Sequence, residues 1–219
     1  MSKYNQGYLG AQIGKLGNGV GRMWKGRPVM SVYQPNVANP RTSAQQIVRA
    51  RFGRLAKLSS AFYAVLLQGL GIKARQYRIT EGNAFISENW PNVTAVSPDD
   101  VTVNYPSLQI ARGNLPMFEC GAVNFGSTTH LHLEASLTGG ADQWGASEND
   151  DIYMVAYCPE LNQSALGSGS KRSAEKVSVN VPASWDGMEV YVYAFGMSDP
   201  NSRTRQCSNT LYCGSGEVC

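Results

Sequence analysis

The chain has 219 residues, of which 42% are hydrophobic and 10% aromatic, a composition that excludes a disordered tail and suffices for a sizeable core. Only 16% are charged, while 23 glycines and 11 tyrosines suit a turn-rich β protein whose surfaces other subunits partly cover. The net charge of +3 conceals a split: residues 1–80 hold 13 Lys/Arg and no acidic residue, whereas residues 81–219 hold 6 Lys/Arg and all 16 Asp/Glu.

Met1–Gly7 shows no apolar run of the secretory kind, so no signal peptide is expected. The longest apolar run, Ala61–Leu67, is far short of the roughly 18 residues a membrane span needs, so no membrane span is expected either. A glycine-rich lead-in, Gly14–Gly26, runs into a predicted β-hairpin. Val20, Arg22 and Trp24 alternate with Gly21, Met23 and Lys25, then Lys25-Gly26-Arg27 turns and Pro28–Tyr33 returns. Neither Gly17-x-Gly19-x-Gly21 nor Gly21-x4-Gly26-Arg27 has the spacing of a dinucleotide or phosphate loop, so tight turns and close packing account for these glycines.

One long basic helix is predicted next. Pro40 disfavours helix at Asn39, Thr42 is a suitable cap with Gln45 three residues on, and Gly69 and Gly71 end the pattern. Val48, Phe52, Leu55, Phe62 and Leu66 form an apolar stripe, widened by Ile47, Leu58 and Val65. Lys57 points away from that stripe and Arg49 lies to one side. Arg54 borders the stripe, and Arg51 falls within its widened part with its head reaching out. A solvated helix face normally mixes both signs of charge, so the one-signed segment predicts an acidic partner.

Residues 72–100 read as an irregular bridge containing the domain boundary. From residue 101 onward short strands alternate with turns. The candidates are Val101–Asn104, Leu108–Arg112, Met117–Asn124, Thr129–Ser136, Ile152–Cys158, Lys176–Val181, Glu189–Met197 and Asn209–Cys213. This spacing predicts an antiparallel β-sandwich of immunoglobulin-like kind. In Glu189–Met197, Val190, Val192 and Ala194 line one face and Tyr191, Tyr193 and Phe195 the other, so an N-terminal element or another subunit must cover it.

Catalytic signals are weak. His130-x-His132-x-Glu134 places three potential ligands on one strand face, but the chain has no third histidine, and a polar strand face explains them as well. Asp142, Glu148, Asp150 and Asp151 around Trp144 lack the alternation of a calcium loop and read as a solvated hairpin loop. The five cysteines, Cys120, Cys158, Cys207, Cys213 and Cys219, read as reduced thiols, with a Cys207 bridge to Cys213 or Cys219 only in an oxidising compartment. No catalytic residue, metal or cofactor is expected.

At Gly14–Gly26, Trp24-Lys25-Gly26, Asn39-Pro40-Arg41-Thr42-x-Ala44-Gln45-Gln46-x2-Arg49-x2-Phe52, Ser184-Trp185-Asp186-Gly187 and the closing strands around Val190–Phe195, the chain resembles an uncharacterised family from Bacteroidota and their phages, a domain of unknown function. The Asn-Pro-x-Thr-x-Ala-Gln block followed by Arg-x-x-Phe is also similar to one in small phage structural proteins. That resemblance implies a virion component, assembled in the bacterial cytoplasm, and brings no catalytic residues.

The expected organisation is a basic hairpin-and-helix element over residues 1–80, a bridge over 81–100 and an acidic β-sandwich over 101–219. The expected function is a non-enzymatic structural protein that docks onto other copies of itself or other virion subunits. Arg22, Trp24, Lys25, Arg27, Arg41, Arg49, Arg51, Arg54 and Lys57 are its docking residues. Two alternatives are nucleic-acid binding through the basic helix and a surface or secreted immunoglobulin-like adhesion module.

Overall fold

The computed structural model describes residues 3–5, 10–125, 132–138, 145–174, 176–201 and 204–218, with residues 3–5 described by their backbone alone. The protein is mainly β, and every strand pair among the described residues is antiparallel. The chain divides into two compact units, residues 1–42 and 43–219.

The first unit is a four-stranded meander of β1 (Lys3–Asn5), β2 (Ala11–Leu16), β3 (Gly19–Trp24) and β4 (Arg27–Val32), paired in that order. β2 is shared along its length: residues 11–13 pair with β1 and residues 14–16 with β3. The handover falls at Gly14, whose φ of 103° is open to glycine and strained for other residues. Just before it, the main chain of β2 passes so close over Gly21 that a Cβ there would strike the Gln12 carbonyl. The hairpin predicted over residues 20–33 is present. Its two-residue turn has φ of 44° at Lys25 and 77° at Gly26, both in the left-handed region favoured in tight hairpins.

The second unit opens with helices α1 (Ser43–Ala61), α2 (Tyr63–Gly69), α3 (Gly71–Tyr77) and α4 (Glu81–Asn89), followed by a small pair, β5 (Val93–Ala95) and β6 (Val101–Val103). The single long helix expected from Thr42 is therefore divided. Helical hydrogen bonds run across the join, from Phe62 N–H to the Leu58 carbonyl at 3.0 Å and from Leu66 N–H to the Phe62 carbonyl at 2.9 Å. Phe62 itself leaves helical geometry, with ψ of 10°. Its fully buried ring lies 4.7 Å from Tyr157, 6.0 Å from Phe85 and 6.3 Å from Tyr193, so tertiary packing sets the bend. Gly69 ends α2 as expected, and a Cβ there would strike the Ile110 carbonyl. Gly71 begins α3 instead of stopping the helix.

The bridge expected over residues 81–100 is occupied by α4 and β5, capped at Thr80, whose Oγ1 accepts from Asn83 N–H at 3.2 Å. The irregular segment 108–112, expected to be a strand, is buried without a ladder. Thr210 Oγ1 accepts from both Ile110 N–H and Ala111 N–H at 2.8 Å, and the buried Asn89 Oδ1 accepts from Gln109 N–H at 2.7 Å. Side-chain acceptors thus do there what a neighbouring strand does elsewhere.

The remaining strands are β7 (Glu119–Asn124), β8 (His132–Thr138), β9 (Asp151–Cys158), β10 (Gln163–Leu166), β11 (Ser170–Lys171), β12 (Lys176–Asn180), β13 (Glu189–Met197) and β14 (Leu211–Glu217). One sheet has the order β10-β9-β13-β14, with β11 added to β9; the other has the order β12-β8-β7. The two share a core that includes Leu133, Met154, Val177, Val179, Val190, Val192 and Trp185. On its opposite face β13 presents Tyr193 and Phe195 to a second core that includes Leu55, Phe62, Leu66 and Phe85 of the helices. Helices of the same unit therefore provide the cover that the two-sided apolar strand demands.

Replacing Thr210 by valine, nearly the same shape, orphans two backbone N–H groups in this unit. Urea denaturation is expected to show a loss of about 2–4 kcal/mol with an unchanged m-value.

Candidate docking surface

In an antiparallel ladder, residues directly opposite share a face and successive residues alternate. The β3–β4 register pairs Arg22 with Val29 and Trp24 with Arg27, and β2–β3 pairs Lys15 with Val20. Lys15, Arg22, Trp24 and Arg27 therefore fall on one face of the first unit, together with Tyr33, over whose ring the Lys15 Nζ sits at 3.6 Å. Lys25 stands at the turn beside them. This face is cationic and aromatic, and residues 1–42 contain six Lys/Arg with no carboxylate side chain.

The other face was not singled out by sequence reasoning. Pairing of Gly21 with Met30, Gly19 with Leu16 and Val32, and Met23 with Pro28 puts Leu16, Met23, Met30 and Val32 together. Met30 is 64% exposed and Val32 74% exposed. The signal was present as alternation, Met23 against Arg22 and Trp24, but it needs the register before the four residues can be seen to converge.

The helix residues divide. Arg41 is exposed at the end of the first unit, and Arg49 and Lys57 are exposed on α1. Arg51 and Arg54 are turned inward, and for Arg51 this departs from the expectation of an outward-reaching head. The Arg51 guanidinium lies 4.1 Å from the centre of the Trp90 ring and donates to the Trp90 carbonyl. Arg54 Nη2 donates to the Tyr105 hydroxyl at 2.8 Å. Lys73, in the same acid-free stretch, pairs with Glu88. These contacts hold the helices to their own unit through cation–π and charge-assisted hydrogen bonds. The apolar stripe is also shorter than expected: Leu55, Leu58, Phe62 and Leu66 are buried, but Val48 and Phe52 are 52% and 49% exposed.

The second unit carries a matching feature of opposite sign. Glu189 on β13 lies directly opposite Glu217 on β14, and exposed Asp186 lies close by in the sequence, where Gly187 N–H donates to the Val218 carbonyl at 2.8 Å. Like charges facing each other across a ladder are destabilising in isolation. Asp186, Glu189 and Glu217 are all exposed.

The other clusters have structural partners. His130 lies outside the described residues; His132 Nδ1 is 2.6 Å from Asn180 Oδ1, and Glu134 pairs with Lys176 at 2.9 Å. That ammonium, hydrogen-bonded to the carboxylate, holds Glu134 below the usual glutamate range. No group of three His, Cys, Asp or Glu side chains suited to a metal occurs among the described residues. Asp142 and Trp144 also lie outside the described residues. Asp150, expected in a solvated loop, is buried instead, 3.3 Å from Arg172 Nε, and accepts from the Ser147 and Asp199 N–H groups at 2.9 and 3.2 Å. It thereby ties three loops together beneath a polar cavity of about 630 Å³ lined by Asn114, Ser198 and Asp199. The buried tyrosines are likewise structural: burial, with neighbouring tyrosines, pushes Tyr193 well above its ordinary range, and its hydroxyl donates to the Tyr105 carbonyl at 2.8 Å. Among the described residues no helix is long and apolar enough to cross a membrane.

The model of a family described as a "Family of unknown function (DUF6266)" matches residues 10–214, covering both units. Comparison with the curated proteins and with the solved structures finds no match.

The two classes of cation are expected to behave differently on truncation. Arg51→Ala and Arg54→Ala each cost about 1–2 kcal/mol in urea denaturation. Arg22→Ala and Arg27→Ala stay within about 0.5 kcal/mol of the parent, as for surface positions without such partners. Gly21→Ala, which forces β2 off β3, selectively raises amide exchange in residues 10–32 while the second unit still unfolds cooperatively.

Proposed function

The chain belongs to that family of unknown function, which supplies no activity to transfer, and from its own residues we propose a non-enzymatic assembly protein whose first unit docks onto the second unit of a neighbouring copy. The observation that carries this reading is the pairing of two one-signed surfaces on one chain. Arg22, Trp24 and Arg27 share a face of a unit without acidic side chains, and Asp186, Glu189 and Glu217 crowd one end of the β13–β14 ladder. A contact joining two different patches builds rings or open filaments when it runs head-to-tail, and a closed dimer when two copies exchange it reciprocally.

The second unit is read as the immunoglobulin-like module that displays the acidic patch. Support comes from its strand order, β12-β8-β7 in one sheet against β10-β9-β13-β14 in the other, which follows the alternation of that architecture. The virion is the proposed setting, assembled in the bacterial cytoplasm. Its support is the resemblance of the Asn39–Phe52 block to phage structural proteins together with the proposed contact between copies.

A specific observation favours one second reading, nucleic-acid binding. Trp24 between Arg22 and Arg27 combines a stacking surface with phosphate-binding cations. The helix residues Arg51 and Arg54 no longer contribute to it, because their heads are engaged within the unit.

Sedimentation velocity over a range of protein and salt concentrations tests the reading. Association is expected to grow with protein concentration, to weaken between about 50 mM and about 500 mM salt, and to fall at least about tenfold in Arg22→Glu/Arg27→Glu. Mixing that variant with Glu189→Arg/Glu217→Arg is expected to recover it. A chain that stays monomeric throughout overturns the proposal. If the monomer instead binds single-stranded DNA in fluorescence anisotropy, with steep salt dependence lost in the arginine variant, nucleic acid is the occupant.

A further inference from the structure

We propose that Cys120 and Cys213 are a redox-active pair that closes into a disulfide joining the two sheets of the second unit. Cys120 lies on β7 and Cys213 on β14, strands of different sheets that contact each other, and each thiol is the neighbour that shifts the other most. Both pack against the same core at its half-buried rim. The Cys207–Cys213 bridge, considered only for an oxidising compartment, is not formed, and both are free thiols. Cys207 is buried and forms an isolated antiparallel bridge with Met197, and burial pushes its thiol up to about 12, a value unsuited to nucleophilic attack. Cys219 lies outside the described residues.

Strand irregularities place both sulfurs. On β14 the register with β13 runs from Gly214 opposite Val192 to Tyr212 opposite Tyr193, which leaves Cys213 as the extra residue of a bulge. On β7, Cys120 pairs with Leu137 and Val123 with Ala135, so two residues oppose one immediately after Cys120. A bulge bends its strand and re-aims the neighbouring side chains, and here one occurs beside each cysteine. Cys158 lacks this placement; it is buried within β9, and its sulfur contacts Met188 at 3.6 Å.

The chemistry is thiol–disulfide exchange with a low-molecular-weight disulfide. A hydrogen bond from Cys213 favours the thiolate of Cys120, which makes Cys120 the attacking sulfur and Cys213 the resolving one. Cys120 thiolate forms a bond to one sulfur of the oxidant, and the oxidant's other sulfur leaves as a thiolate that takes up the proton Cys120 lost. Cys213 then loses its proton, bonds to Cys120 and releases the second small thiol. Two protein thiols are oxidised and one disulfide is reduced to two thiols. The bridge joins the two sheets at the rim of their core and closes a long loop, so it restricts the unfolded chain strongly. This inference is independent of the docking proposal.

Full-length protein treated with oxidised glutathione is expected to yield one dominant linked peptide pair, Cys120 with Cys213, in non-reducing peptide mapping. Two thiols are lost to titration and Tm rises by roughly 5–15 °C, reversed by dithiothreitol. Cys120→Ser and Cys213→Ser each abolish the linkage and the rise, while Cys158→Ser keeps both. The parent map stands on its own if a serine variant fails to fold. Absence of a bridge, glutathione caps that never resolve, or a dominant bridge through Cys158, Cys207 or Cys219 overturns the inference.

Discussion

The second unit depends on one constraint: β13 is apolar on both faces, so both must be covered. On one face Val190, Val192 and Ala194 meet the core shared with the three-stranded sheet. On the other, Tyr193 and Phe195 meet the helices, with Phe62 wedged against Tyr157 and Tyr193. Fully burying side chains of this size is worth about 1.5–3 kcal/mol each, well above a surface ion pair. Helix geometry therefore yields to packing, and the chain leaves helical ψ at Phe62 to seat its ring.

That arrangement determines which cations are left for other work. Fixing α1 against the β unit brings Arg51 to Trp90 and Arg54 to Tyr105, and fixing α3 beside α4 brings Lys73 to Glu88. Much of the positive charge of the helices is thus spent within the unit. The first unit is built differently. Its strands are short, its apolar side chains on one face stay exposed, and its cations share the other face with Trp24 and Tyr33. A sheet with little core of its own and a one-signed face is what the docking proposal rests on.

Features that depend on local pattern were legible from sequence. The alternation of Glu189–Met197 gave that strand to the residue, Thr42 marked the helix start at Ser43, and Lys25-Gly26 marked the hairpin turn. Features set by distant partners were not. Arg51 and Arg54 read as docking residues because their acceptors lie 39 and 51 residues away. Residues 108–112 read as a strand because apolar alternation does not reveal that Thr210, about 100 residues on, will satisfy their N–H groups. The opposition of Glu189 to Glu217 and the approach of Cys120 to Cys213 likewise exist only once register and bulges are fixed.

Zero-length carbodiimide coupling of a mixture of isotope-labelled and unlabelled chains tests the central claim most directly, because it joins only amines and carboxylates already in contact and reports which copy each came from. The account predicts mixed-label cross-links from Lys15 or Lys25 of one copy to Asp186, Glu189 or Glu217 of another, fading as salt is raised. Cross-links confined to single chains, or mixed-label links that bypass the first unit, would contradict it.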